Sequence, residues 1–111
     1  MRLLKSIKAI MDKKLAEDIV VIDFREESVF FDYFIVGSAK NCRMAHSIIE
    51  AIEEEVLKID GKIRTIEGNK ESLWQLVDCY DVVAHIFVGE EREVYHLEKL
   101  WADLPRIEEV K

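Results

Sequence analysis

The pair Gly37-Ser38 stands where chemistry is possible. It follows an apolar run and precedes a helical pattern, and the unpaired N–H groups of a helix start can hold a phosphate. The competing reading is a turn that needs a small residue. A P-loop would add a Lys beside Ser or Thr after a Gly-rich run, and none is here. A nucleotidyltransferase would carry paired acidic residues, alternating on a strand after the next helix, to hold Mg²⁺. The stretch there reads Ile63-Arg64-Thr65-Ile66-Glu67 and lacks the pair. Asp78 and Asp81 lie three apart across a turn, a spacing that shares an ion only by chance of geometry.

Other reactive side chains are isolated. His85 sits inside Val82-Val83-Ala84-His85-Ile86-Phe87. It is either a base with a shifted pKa or a partly buried His bonded to a carboxylate or to backbone. No Ser-His-Asp or Cys-His motif accompanies it. Cys42, at a helix start, is either a thiol with lowered pKa or simply a small residue. Cys42 and Cys79 fit neither a zinc spacing nor a disulfide framework. With the acidic pair and the catalytic motifs also missing, no metal, cofactor or catalytic residue is expected. Glu53-Glu54-Glu55 reads as a solvated helix face. The aromatics say more. Trp74 follows a polar loop, and Tyr33, Tyr95 and Trp101 lie near element ends. They belong either to the core or to a protein-binding patch, since Trp, Tyr and Arg anchor interfaces.

The elements that must position these residues follow from periodicity. Leu3, Leu4, Ile7, Ile10, Met11 and Leu15 predict an amphipathic helix over 1–16. Its solvent face is basic, with a local excess of three positive charges. Buried β-branched and aromatic runs predict strands over 19–22 and 33–36, separated by a charged loop over 25–32. Asn41 can cap a long helix to about residue 60, ended by Asp60-Gly61 with Gly in the left-handed cap. Strands over 62–67, 74–79 and 82–88 come next, the last two forming a hairpin around Tyr80-Asp81. A final helix over 92–101 stops before Pro105, and the tail shows no pattern. The order is α-β-β-α-β-β-β-α, an α/β (α+β) class with a mixed five-stranded sheet and packed helices. Residues 1–111 read as a single domain.

Charge then narrows the partners. Sixteen basic against 23 acidic residues leave −7 at neutral pH. Naked nucleic acid would call for a basic surface, so a basic protein is the better partner. No apolar run is long enough for a membrane span. Charge interrupts the first residues too often for a signal peptide. The expected location is cytoplasmic or an organellar matrix, with reduced thiols.

Asp32-Tyr33-Phe34-Ile35-Val36, followed by Arg43, resembles the opening signature of the ribosomal silencing factor (Iojap-related) family. The resemblance continues through Glu67-Gly68, Trp74, Asp78 and the run from Asp81 to Phe87. It closes with Arg92, the run from Tyr95 to Trp101, and Asp103, covering about residues 15–107. It implies a nucleotidyltransferase-like core without the catalytic acids. It also implies a non-enzymatic factor that binds the large ribosomal subunit through its fourteenth protein, a basic protein of the intersubunit face. Occupying that site would block small-subunit joining and silence translation, or serve ribosome assembly in organelles.

Under this reading Trp74 is the apolar anchor. Asp78 and Asp81 offer carboxylates, Tyr95, Glu98 and Trp101 extend the patch, and Asp32 and Tyr33 contribute from a neighbouring strand end. His85 and Arg92 orient these groups. Two positions depart from the family pattern. Tyr80 stands where the hairpin usually has Gly, so the turn is of another type, or Tyr80 is strained or part of the contact. Met44 stands where His is common. The alternative reading is a metal-dependent nucleotide-binding or nucleotidyltransferase-type protein using Gly37-Ser38. A homodimer is possible, with either sheet edge open for pairing.

Overall fold

The computed structural model describes residues 2–108 and 110. Helix α1 (Arg2–Lys13) buries Leu4, Ile7 and Met11, one stripe at helical spacing. Beyond its end Leu15 takes a left-handed φ of 65°, and the Ala16 N–H closes back on the Met11 carbonyl at 2.9 Å. Strand β1 (Glu17–Asp23) pairs antiparallel with β2 (Tyr33–Ala39). Helix α2 (Cys42–Lys58) is capped by Asn41, whose side chain accepts from the Met44 N–H at 2.8 Å. Then come β3 (Thr65–Glu67), β4 (Trp74–Asp78) and β5 (Val82–Val88), followed by α3 (Glu91–Tyr95) and α4 (Leu97–Leu100).

The sheet order is β1-β2-β5-β4-β3. β2 and β5 run parallel, while β4 is antiparallel to both β5 and β3. The expected α+β class, mixed five-stranded sheet and element order are therefore the observed ones. Strand alternation gives the sheet two different faces. Ile35, Ala84, Ile86 and Val77 face α1 and α2 and join the main core. Val36 and Phe87 face the other way and meet Leu97, Trp74 and Trp101. No described helix is long and apolar enough to cross a membrane.

Four expectations need correction. The left-handed residue ending α2 is Asp60, with φ 61°. Gly61 is needed for space instead, because a Cβ there would lie 2.7 Å from Val56 Cγ1. Strand β3 has only three residues, so 62–64 stay outside the ladder. The last helix is broken at His96, whose left-handed φ of 48° ends α3 and starts α4. The break lets Tyr95 lie against Trp74 while Leu97 enters the second core. The tail also has a place. Arg106 bridges Ile22, the Asp23 N–H donates to the Pro105 carbonyl, and the Ile107 N–H donates to that of Val21. This pairing occupies part of the outer edge of β1, so the two sheet edges are not equally open.

Candidate functional site

The face turned away from α1 and α2 carries the aromatic residues. On β4, Trp74, Leu76 and Asp78 point to it, because they pair with Phe87, His85 and Val83 of β5. Gln75, between them, points the opposite way and donates to the Ser72 and Cys42 carbonyls. The Trp74 ring stacks on Phe87, with centroids 5.0 Å apart and planes at 27°. The Tyr95 ring also packs against it, with centroids 4.5 Å apart, and lies 6.1 Å from that of Phe87. The indole Nε1–H donates to His85 Nδ1 at 3.1 Å. Trp74 is thus half-buried and fixed in position. Part of its ring packs in the second core and the rest is open to solvent.

His85 is 4% exposed, and burial pushes its pKa down to about 4. It is neutral at neutral pH. Because Nδ1 accepts from the indole, the imidazole hydrogen belongs on Nε2. Nε2 has no hydrogen-bond partner among the described residues. The expected partner, a carboxylate or backbone group, is replaced by an indole. Among the described residues no carboxylate bonds the imidazole, and its side-chain hydrogen bond is the one from Trp74.

A second aromatic group lies beside the first. Trp101 meets Phe24 and Phe34 edge-on, at 5.1 and 5.5 Å. Phe34 also lies 4.6 Å from His85, which joins the two groups. Arg92 ties α3 to the sheet. It donates to Glu98 Oε1 at 2.6 Å, to Ser38 Oγ at 2.9 Å and to the Asp18 carbonyl at 2.6 Å. Glu98 is therefore engaged within the protein, and Arg92 links α3 to the sheet beside Trp74.

The three aspartates gather at the far end of the same sheet. Asp78 accepts from the Tyr80 N–H at 2.9 Å and stands 3.6 Å from Arg64. Asp81 is exposed, and its carbonyl accepts from the Asp32 and Tyr33 N–H groups at 2.7 and 3.0 Å. Asp78 lies four steps along β4 from Trp74, about 13 Å at the usual strand rise. Tyr33 is not with the others. Its ring is buried in the helix-side core, with the Arg25 guanidinium 5.4 Å from its centre. Tyr80 takes a left-handed φ of 67° and is half exposed.

Gly37 and Ser38 lie inside β2, which runs on to Ala39, and not in a turn after it. A Cβ on Gly37 would meet Met11 Cε at 2.8 Å, so helix packing accounts for this glycine. The Ser38 hydroxyl receives Arg92, and Asn41 fills the start of α2. Cys42 packs against the main core. Cys79 is buried, and burial with nearby Asp78 pushes its thiol pKa up to about 12. Reasoning from sequence missed Val29, Phe30 and Phe31, apolar residues side by side in a loop read as charged. Their signal was the unbroken apolar triplet itself.

Comparison with known proteins agrees with this architecture. A family model described as "Ribosomal silencing factor during starvation" matches residues 1–111. The chain is 37% identical over 103 residues to a Bacillus subtilis protein named ribosomal silencing factor RsfS, covering 93% of this chain and 87% of that one. A crystal structure from Bacillus halodurans superposes with a TM-score of 0.85 at 30% identity, covering 97% and 98% of the two chains. One from Chromobacterium violaceum gives 0.86 at 25% identity, covering 91% and 84%. With a family-model match over residues 1–111 and these relatives, the chain belongs to the ribosomal silencing factor family, a family of non-catalytic ribosome-binding factors.

Proposed function

We propose that this protein docks on the large ribosomal subunit through the subunit's basic fourteenth protein and thereby excludes the small subunit. The observation that carries this reading is Trp74. It is a half-buried aromatic held rigidly by Phe87, Tyr95 and His85, on the sheet face that the two long helices leave uncovered. Rigid aromatics of this kind anchor interfaces, because little side-chain entropy is lost when they are covered. Asp78 and Asp81 supply carboxylates at the other end of the face for Lys or Arg of the partner. The net charge of −7 speeds encounter with a basic protein and disfavours docking on bare ribosomal RNA. The mechanism is steric. No bond is made or broken, and the bound domain fills space that the joining subunit needs. The place of action in this reading is the ribosome-containing cytoplasm.

The test is co-sedimentation with purified large subunits, followed by addition of small subunits. The protein is expected to pellet with the large subunit and to reduce joining. Trp74→Ala is expected to weaken binding by about 2 kcal/mol or more. Failure to pellet, or pelleting with no effect on joining, overturns the proposal.

A further inference from the structure

The loop between β1 and β2 presents two apolar side chains to solvent. Val29 is 94% exposed and Phe30 is 81% exposed. The loop is nevertheless firmly built. The Glu27 and Ser28 N–H groups both donate to the Phe24 carbonyl at 2.9 Å, and the Phe30 N–H donates to Ser28 Oγ at 3.1 Å. Phe31 stacks on Phe34 at 4.6 Å and meets Phe24 edge-on at 5.0 Å. The Asp32 N–H ties the loop to the Asp81 carbonyl. A loop ordered in this way holds Val and Phe in water, where covering them by another surface is favourable.

Charge selects that surface. The loop's one cation, Arg25, is held by Asp23 in a 2.8 Å ion pair. Exposed Glu26 and Glu27 remain, with exposed Asp81 on the adjoining turn. Such a rim repels RNA phosphates and anionic lipid headgroups. It also repels the same rim on a second copy of this chain. An apolar socket bordered by Lys or Arg on a protein satisfies both features.

We propose that the Val29–Phe30 tip is a second anchor for a basic protein partner, acting with Trp74 at the other end of the aromatic face. The two are linked through packed rings, since Phe31 stacks on Phe34 and Phe34 touches the His85 that holds Trp74. This inference rests on the ribosome-docking reading above and adds residues to it.

The test compares wild type, Trp74→Ala and the Val29→Ser/Phe30→Ser double variant. Thermal melts are measured alongside co-sedimentation with purified large subunits. The exposed double variant should melt as wild type does and bind about tenfold or more weakly. Glu26→Lys/Glu27→Lys should also weaken binding and flatten its salt dependence. Wild-type affinity in the Val29→Ser/Phe30→Ser variant, with Trp74→Ala impaired, overturns this inference and leaves the docking reading standing. Failure of wild type to pellet overturns both. A defect confined to self-association by light scattering, or to binding of anionic-lipid vesicles, also overturns it.

Discussion

The indole of Trp74 and the imidazole of His85 share one hydrogen bond, Nε1–H to Nδ1 at 3.1 Å, although eleven positions separate them in sequence. The bond joins the most interface-like residue of the sheet to its most buried titratable one. The solvent-facing aromatic is thereby oriented from within the core. Trp74→Phe keeps the stack on Phe87 but removes the donor, leaving His85 Nδ1 buried without a partner. A loss of about 1–3 kcal/mol of stability is expected. Urea unfolding measures it, and an unchanged midpoint would show that the bond is energetically idle.

Acid should weaken the fold through the same residue. Burial lowers the His85 pKa to about 4, against an ordinary 6.5. As pH falls, the unfolded chain takes up this proton first. The contribution is therefore fully present above about pH 6.5, declines between 6.5 and 4, and totals about 3 kcal/mol. Asp23 adds to acid sensitivity lower down, because its hydrogen bond from Arg25 lowers its pKa. Its contribution is lost as pH falls below the usual carboxylate range. Urea midpoints at pH 7 and 4.5 test the assignment. His85→Gln, which retains an acceptor for the indole, should flatten the dependence between those values.

Arg92 is the tie between α3 and the sheet, so its loss should be felt at Trp74. Arg92→Leu leaves Glu98 without its ion pair and the Asp18 carbonyl and Ser38 hydroxyl without a donor. The expected cost is about 2 kcal/mol. Tyr95 should then loosen from the indole, which Trp74 fluorescence would report as a shift or a change in quenching. Stability loss with unchanged fluorescence would confine Arg92 to a scaffolding role.

What was legible in the sequence was what local physics fixes. Asn41 caps α2 because its short side chain reaches the Met44 N–H. The stripe from Ala45 to Val56 is buried because its spacing is helical. What was not legible depends on distant partners. The apolar and polar pattern runs unbroken through His96, and only the need to seat Tyr95 and Leu97 against different neighbours breaks the helix there. The tail has no strand pattern of its own and is ordered by hydrogen bonds from the edge of β1. At the site, Trp74 announced itself by type and position. Its link to His85 required the β4–β5 register, which sets Leu76 opposite His85 and Trp74 opposite Phe87. Tyr33 looked available at a strand end, yet alternation turns its ring to the helix side.

Tyr80 closes the β4–β5 turn at a positive φ of 67°, a conformation that crowds the Cβ of any L residue other than glycine. The Asp78 carboxylate relieves part of the difficulty by accepting the Tyr80 N–H. The backbone strain itself remains, and half the side chain is in solvent. Tyr80→Gly removes the strain but gives the unfolded chain more freedom to lose, so the two effects oppose one another. Left-handed strain of about 1–2 kcal/mol exceeds glycine's entropic cost of about 0.5–1 kcal/mol. A net gain of up to about 1 kcal/mol is expected, read as a higher melting temperature. Ribosome binding separates strain from contact. If Tyr80→Gly is more stable and binds as wild type, the tyrosine is tolerated strain. If it is more stable and binds more weakly, the strained residue is part of the docking surface, and its stability cost accompanies function.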